Sequence, residues 1–430
     1  MTISKRTAYY LFVLFLILFL GSALFITSCN NISKADRIHP DSLLKKLPAP
    51  DSATILQTER MRTACQAWYD SALKPKGFNG GMLVAWHGNI IFETYQGTAH
   101  LPGSDPMNEN TALHIASVSK TFTAMAVLKL WQDGKLNIDD EFSKYFPEFN
   151  YPGVTIRSLL NHRSGLPNYI YFIANSDWDK SKFVTNEDIL DFLINRKDQI
   201  VDIASPNSHF SYSNTNYALL ALLIEKTSGL KYDEYLKQNF FIPLRMKNTY
   251  VFRLADSASS TQSYNWRGKP EPYDFLDEVY GDKNIYTTAR DLLAWDKALS
   301  GNMLFRSETL EQAYTPYSNE KPGIRNYGLG WRMYNYPTGK KIIYHNGRWH
   351  GSNACFIRVI DDSATIIVIG NRFTRAVYHA KVLTSIFGNY SGTTGDEENE
   401  PAVNENNQQY PVLTTGTLHK KKKSRSKKRR

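Results

Sequence analysis

Cysteine is scarce, with three residues in a chain of 430. One of them, Cys29, follows an apolar N-terminal run, so the body holds only Cys65 and Cys355. A chain this long buries a sizeable core without a disulfide staple, and buried free thiols are common, so a pairing of these two is open but not required. There is no His-Glu-x-x-His, and no two cysteines or histidines have zinc-site spacing, which excludes a local zinc motif. Internal repeats are absent, so no solenoid array is expected.

The body also lacks an excess of positive charge. The formal net charge is +10, yet the final "KKKKSRSKKRR" alone supplies nine basic residues. Without them the balance is 42 basic against 41 acidic residues. A near-neutral body has no electrostatic footprint for a specific nucleic-acid partner. The basic end reads as a solvated appendage, with anionic lipid or nucleic acid as the minority reading. The stretch before it, "SGTTGDEENEPAVNENNQQYP", is polar, acidic and poor in core residues. Residues 391–430 are therefore expected to be a disordered tail.

The long apolar run is N-terminal. Lys5 and Arg6 precede "AYYLFVLFLILFLGSALFI", uncharged from Ala8 to Ile26. It resembles a secretory signal, and its length also suits an uncleaved membrane anchor. Cys29 in "ITSCNN" looks like the lipid-bearing cysteine of a bacterial lipoprotein signal. Either way residues 1–29 place the body outside the cytoplasm, anchored to a membrane and facing the periplasm or cell surface. Residues 30–57, with prolines and no sustained period, read as a tether.

Beyond the tether a helix is expected from about Thr58 to Leu73. "GGMLVAWHGNIIFETYQG" then holds two β-rich runs around His87-Gly88-Asn89, a hairpin signature. Near the other end, "NACFIRVIDDSATIIVIGN" gives a second hairpin around Asp361-Asp362-Ser363, followed by a helical stretch from about Arg375 to Phe387. Between these ends the pattern is mostly helical. Thr185 and Asp188 have capping-box spacing, and Gly229 closes the Leu-rich run "NTNYALLALLIEKTSG". The fold class is therefore α+β. The β-rich ends, about 58–110 and 325–390, join in one antiparallel sheet flanked by terminal helices, with an inserted, mostly helical lobe at about 111–324.

Ser-x-x-Lys occurs six times and means little by itself. Only at Ser117 does it open a long apolar helix, through Phe122, Met125, Val127, Leu128, Leu130 and Trp131. The spacing puts Ser117 and Lys120 on one face, a turn apart. Desolvation makes a neutral amine accessible, and such an amine can take a hydroxyl proton. Backbone N–H groups at the helix start favour developing negative charge. These are the requirements of acyl transfer. The bland alternative is a serine cap beside a snorkelling lysine, and this segment alone does not decide. "HFSYSNTNY" adds Tyr212, able to shuttle protons, and Asn214, able to orient a substrate; Tyr-x-Asn recurs at Tyr317 and Tyr344. "YHNGRWHGSNACFIRVI" adds His345-Asn346-Gly347, expected to enter an edge strand, with Gly347 and Gly351 permitting close backbone approach. A glycine-rich turn with a surface histidine is the plainer reading of it.

Taken in order, Ser117-Val118-Ser119-Lys120, Tyr212-Ser213-Asn214 and His345-Asn346-Gly347 resemble the three signature elements of the serine β-lactamase and penicillin-binding-protein superfamily. The branch of class C β-lactamases, D-peptidases and esterases is the most similar. "TIRSLLNHRSGLPNY", "IYTTARDLLAW" and "YGLGW" look like that branch too, and the similarity covers about residues 58–390. The resemblance implies Ser117 as the acylated nucleophile, Lys120 and Tyr212 sharing general-base and general-acid duty, and Asn214 positioning substrate. Residues His345, Asn346, Gly347 and Arg348 would bind substrate, with the N–H groups of Ser117 and Arg348 as the oxyanion hole. No metal or organic cofactor is implied, and the partner is a small-molecule or peptide substrate, cell-wall peptide among them. His345 stands where many members carry a lysine, so a fixed positive charge is missing there, and Arg348 is a candidate to replace it. His162 and His350 are expected to be structural. A non-catalytic module that binds cell-wall peptide or a partner is the alternative, although the intact Ser117, Lys120 and Tyr212 set is more than binding needs.

Overall fold

The computed structural model describes residues 52–390, apart from 102, 104, 301 and 302. The expected signal or anchor at 1–29, lipidation at Cys29, most of the tether and the tail at 391–430 lie outside the described residues. The first helix begins at Ser52 rather than near Thr58, because neither proline nor glycine interrupts "SATILQT". It runs to Trp68, continues as a wider turn over Tyr69–Leu73, and stops before Gly77 at φ 68°.

Among the described residues the strands are β1 (Gly80–Trp86), β2 (Asn89–Gln96), β3 (Leu113–His114), β4 (Tyr250–Val251), β5 (Ile285–Thr287), β6 (Arg325–Tyr327), β7 (Arg332–Asn335), β8 (Lys341–Trp349), β9 (Ser352–Val359) and β10 (Ala364–Gly370). Seven of them form an antiparallel sheet in the order β2-β1-β10-β9-β8-β7-β6. Every strand of that sheet comes from a β-rich end of the sequence, and Gly80 pairs with Gly370 across the join. The fold is thus the antiparallel α+β arrangement expected.

Alternation gives the sheet two apolar faces. Met82, Val84, Ile366 and Val368 pack with Met61, Cys65, Val377 and Leu383, so the first helix and the 3₁₀ segment Arg375–Ile386 cover one side. Leu83, Ala85, Ile367 and Ile369 face the other side and join the large core of the helical lobe. Each Val, Ile or Met buried there contributes about 1.5–3 kcal/mol over an exposed one. Cys65 and Cys355 sit in the first of these cores as free thiols. Burial pushes the Cys65 thiol up to about 12.

Both hairpins turn where the sequence indicates, through His87 and Gly88 at φ 48° and 72°, and through Ser363 at φ 49°. The capping box at Thr185 and Asp188 starts the helix Asn186–Asn195, and Gly229 closes Asn214–Ser228 at φ 74°. A second sheet, β3-β5-β4, lies among the helical segments and was not anticipated. Its strands of two or three residues are too short to show a period.

Candidate active site

Ser117 occupies a single 3₁₀ turn, Ala116–Val118, ahead of the helix Ser119–Gln132. Its side chain caps neither segment. Ala116 is held at φ 48°, a left-handed conformation costly for a residue with a Cβ, directly before the serine. The strand β3 and a bond from Ile115 N–H to Ile285 O fix the entry to this turn. On the far side the Ser119 hydroxyl accepts from Ile285 N–H at 3.1 Å.

Lys120 is fully buried, which removes the snorkelling alternative. Its Nζ lies 3.1 Å from Ser117 Oγ and donates to the Asp282 carbonyl at 2.7 Å. The same Nζ is 5.0 Å from the centre of the Tyr212 ring. Three segments distant in sequence therefore converge: Ser117 and Lys120, Tyr212, and the carbonyl of Asp282. Asn214 begins the helix Asn214–Ser228, and its side-chain oxygen has no hydrogen-bond partner although it is enclosed. Such an acceptor suits a substrate N–H.

The His345-Asn346-Gly347 segment lies in β8, which is an interior strand and not the edge strand expected. The correction is partial, because β7 stops at Arg332 opposite Tyr344 while β9 continues along residues 345–349. The second half of β8 thus has a strand on one side only. Gly347 is pressed onto the nucleophile turn: a Cβ there would meet Ile115 O at 2.2 Å and Ser117 N at 3.1 Å. Tyr378 donates to the Gly347 carbonyl at 3.0 Å and braces this segment from the other side.

His345 is fully buried. Burial, then the charges of Arg332 and Lys120, hold its imidazole well below the usual range, so it is neutral at pH 7. Its Nδ1 is 2.6 Å from Asn346 O, which fixes the proton there, and Nε2 faces the Tyr327 hydroxyl at 3.3 Å. The Arg348 guanidinium lies over the Phe373 ring at 4.2 Å. Arg332 comes nearer the chemistry, 5.2 Å from the centre of the Tyr212 ring.

Two contributors were not legible as site residues. Arg332 directly follows "YGLGW", and no spacing in the sequence ties it to the other site residues. His162, expected to be structural, is a clamp on the Tyr212 segment. Its Nδ1 accepts from Ser213 N–H at 3.2 Å and Asn216 Nδ2 at 3.1 Å, and its carbonyl accepts from Ser211 N–H at 2.9 Å. The ring packs on Tyr212 with centroids 4.4 Å apart.

The comparisons with known proteins agree with this fold. A family model described as Beta-lactamase matches residues 68–387. Penicillin-binding protein 4* of Bacillus subtilis is 32% identical over 361 residues, covering 80% of this chain and 79% of its own. Among solved structures, a penicillin binding protein from Bacillus halodurans superposes with a TM-score of 0.65 at 24% identity, over 74% of this chain and 98% of that one. D-amino acid amidase from Ochrobactrum anthropi reaches 0.62 at 22% identity, over 76% and 97%. With its α+β sheet, its buried lysine against Ser117 and a family match over most of its length, this chain belongs to the beta-lactamase family of penicillin-binding-protein-like serine hydrolases.

Proposed function

We propose that the protein is an exported, membrane-tethered hydrolase that acts through an acyl-enzyme on Ser117, with a peptide, an ester or a β-lactam-like amide as substrate. The observation that carries this reading is the fully buried Lys120 amine 3.1 Å from the Ser117 hydroxyl. As a neutral amine, Lys120 takes the Ser117 proton while Oγ bonds to the substrate carbonyl carbon. The N–H groups of Ser117 and Arg348 receive the oxyanion. Tyr212 passes a proton to the leaving nitrogen or oxygen as its bond to the acyl carbon breaks. Water then attacks the acyl-serine ester, and the same groups return the proton to Oγ. Asn214 and Asn346 orient the substrate, and the half-covered segment of β8 offers main-chain bonds to an extended peptide.

Neutral His345 gives a substrate carboxylate no fixed charge, which favours esters and uncharged peptide ends over penicillins. The location rests on residues 1–29 with lipid on Cys29, and a cell-envelope setting makes cell-wall peptides the natural substrate class. Ser117→Ala should abolish hydrolysis of p-nitrophenyl acetate with the circular dichroism and melting temperature unchanged; undiminished turnover would refute the assignment. Intact-protein mass spectrometry with a fluorophosphonate or a penicillin separates the non-catalytic alternative, which predicts no adduct on Ser117 with any probe.

A further inference from the structure

Lys120 takes a proton only as a neutral amine, yet the residue that anchors it carries a carboxyl group. Lys120 Nζ donates to the Asp282 carbonyl at 2.7 Å, and the Asp282 side chain is 1% exposed. The carboxylate therefore stands within one residue's span of that carbonyl and close to the amine bound there. Its Oδ2 accepts from the Tyr169 hydroxyl at 3.0 Å, while Oδ1 has no hydrogen-bond partner although it is enclosed. A buried carboxylate so sparsely hydrogen-bonded favours a protonated neighbour. Unopposed, it would hold Lys120 as an ammonium ion, which cannot serve as a base.

The next residue supplies the opposing charge. Lys283 is similarly buried, with 3% of its side chain exposed, and its Nζ lies 3.6 Å from Asp282 Oδ2. The same ammonium donates to Tyr169 Oη at 2.5 Å, so one phenol accepts from Lys283 and donates to Asp282. Burial and then the Asp282 charge push Tyr169 well above its ordinary range, so it stays an uncharged phenol. Trp349 covers Lys283, with Nζ 4.5 Å from its ring centre. The backbone fixes the pair between two left-handed residues, Gly281 at φ 92° and Asn284 at φ 77°. Gly281 O accepts from the Thr123 hydroxyl at 2.6 Å, and Asn284 Nδ2 donates to Asp277 O at 2.5 Å. The other groups facing Lys120 are Tyr212 and Tyr217, with ring centres 5.0 and 5.7 Å from Nζ, the neutral His162 and His345, and Arg332. None of these is a carboxylate. On its far side the pair meets neutral His114, Asp274, and Asp277 bonded to His350.

We propose that Lys283 is a positioning residue for acyl transfer: paired with Asp282, it cancels the carboxylate beside Lys120 and keeps that amine able to accept the Ser117 proton. The inference rests on the reading of Lys120 as the general base. Opposite charges a residue's length apart in a buried site bias a protonation equilibrium by about tenfold or more. The carbonyl of Asp282 thus orients the base, and the ammonium of Lys283 offsets the charge that comes with that carbonyl.

The test is the pH profile of kcat/KM for p-nitrophenyl acetate in the full chain, which rises as Lys120 loses its proton. Lys283→Met should move the rising limb up by about one pH unit and lower the neutral-pH rate about tenfold, with activity recovered at higher pH. Asp282→Asn keeps the main-chain carbonyl and should move the limb down. The double variant should bring it back close to the unmutated position. A pair that only holds the fold would lower the rate at every pH and leave the limb in place. Melting temperatures identify a Lys283→Met protein that does not fold, and Asp282→Asn alone must then still move the limb down. A limb that is present but unmoved in Asp282→Asn, or moved the same way in both single variants, overturns the counter-charge alone. An unmutated profile with no rising limb overturns both it and the reading of Lys120 as base.

Discussion

Two basic groups approach the Tyr212 ring: the Arg332 guanidinium at 5.2 Å, and at 5.0 Å Lys120 Nζ, which becomes a cation once it has taken the Ser117 proton. Their charge stabilises negative charge as it develops on the phenol oxygen during proton transfer, and burial of Lys120 strengthens the effect. Tyr212→Phe keeps the ring packing against His162 and removes only the hydroxyl. It should lower kcat for an activated ester by about 10²–10⁴-fold, the range of a lost acid–base group, with little change in KM or melting temperature. Stopped-flow measurement of acylation checks this, and an unchanged rate would remove Tyr212 from the proton path. Ser117, Lys120 and Tyr212 were legible because each is a side chain in a recognisable spacing. The Asp282 carbonyl was not, since any residue supplies a backbone oxygen. Arg332 was hidden for another reason: its place depends on the β7–β8 register that sets it opposite Tyr344.

The turn Ala116–Val118 and the strand β8 work as one unit, and Gly347 is where they touch. A methyl group at 347 falls 2.2 Å from Ile115 O, a backbone atom that cannot swing aside, so β8 must move away from Ser117. Gly347→Ala should cost about 1–3 kcal/mol of stability by overpacking and reduce kcat far more than that loss of folded protein explains. Parallel unfolding curves and ester kinetics separate the two effects; full activity would show that the close approach is unnecessary. The "NHRSGLPNY" stretch acts on the neighbouring element. Besides the His162 bonds, Pro167 O accepts from the hydroxyls of Ser213 and Thr215, so this loop sets where Tyr212 points. Hairpins, the capping box and the Gly229 stop could be read locally because each is decided within a few residues. The small sheet and the His162 clamp could not, because both depend on contacts between segments far apart in the chain.

At the scale of the molecule, two neutral imidazoles inside one charged neighbourhood set the acid limit. Burial first, and then the neighbouring basic groups Lys120 and Arg332, lower His162, and burial with Arg332 and Lys120 lowers His345, each well below the ordinary value. The unfolded chain takes up protons at these positions near pH 6.5, while the folded protein refuses them. Their contribution is therefore complete above about pH 6.5 and lost as pH falls, by up to about 1.4 kcal/mol per pH unit for each. Urea unfolding at pH 7.5 and 5.5 should show the decline, and His345→Asn should make it shallower; equal slopes in the two proteins would contradict the account. Deleting residues 391–430 should leave ester hydrolysis intact, because every residue assigned to the chemistry precedes them in the chain. Activity that disappears with the tail would point instead to a surface-binding role for the basic end.

The pairing of Gly80 with Gly370 has a bearing on how the chain is made. The β1–β10 pair cannot form until the ribosome has delivered Gly370, so Met82 and Val84 lack their neighbours Ile366 and Val368 through most of synthesis. A polypeptide that stays open so long can be threaded through a narrow translocation pore before it collapses. By the same logic, a message truncated ahead of Ala364 leaves β1 and β9 without the strand that joins them, and should yield no half-enzyme.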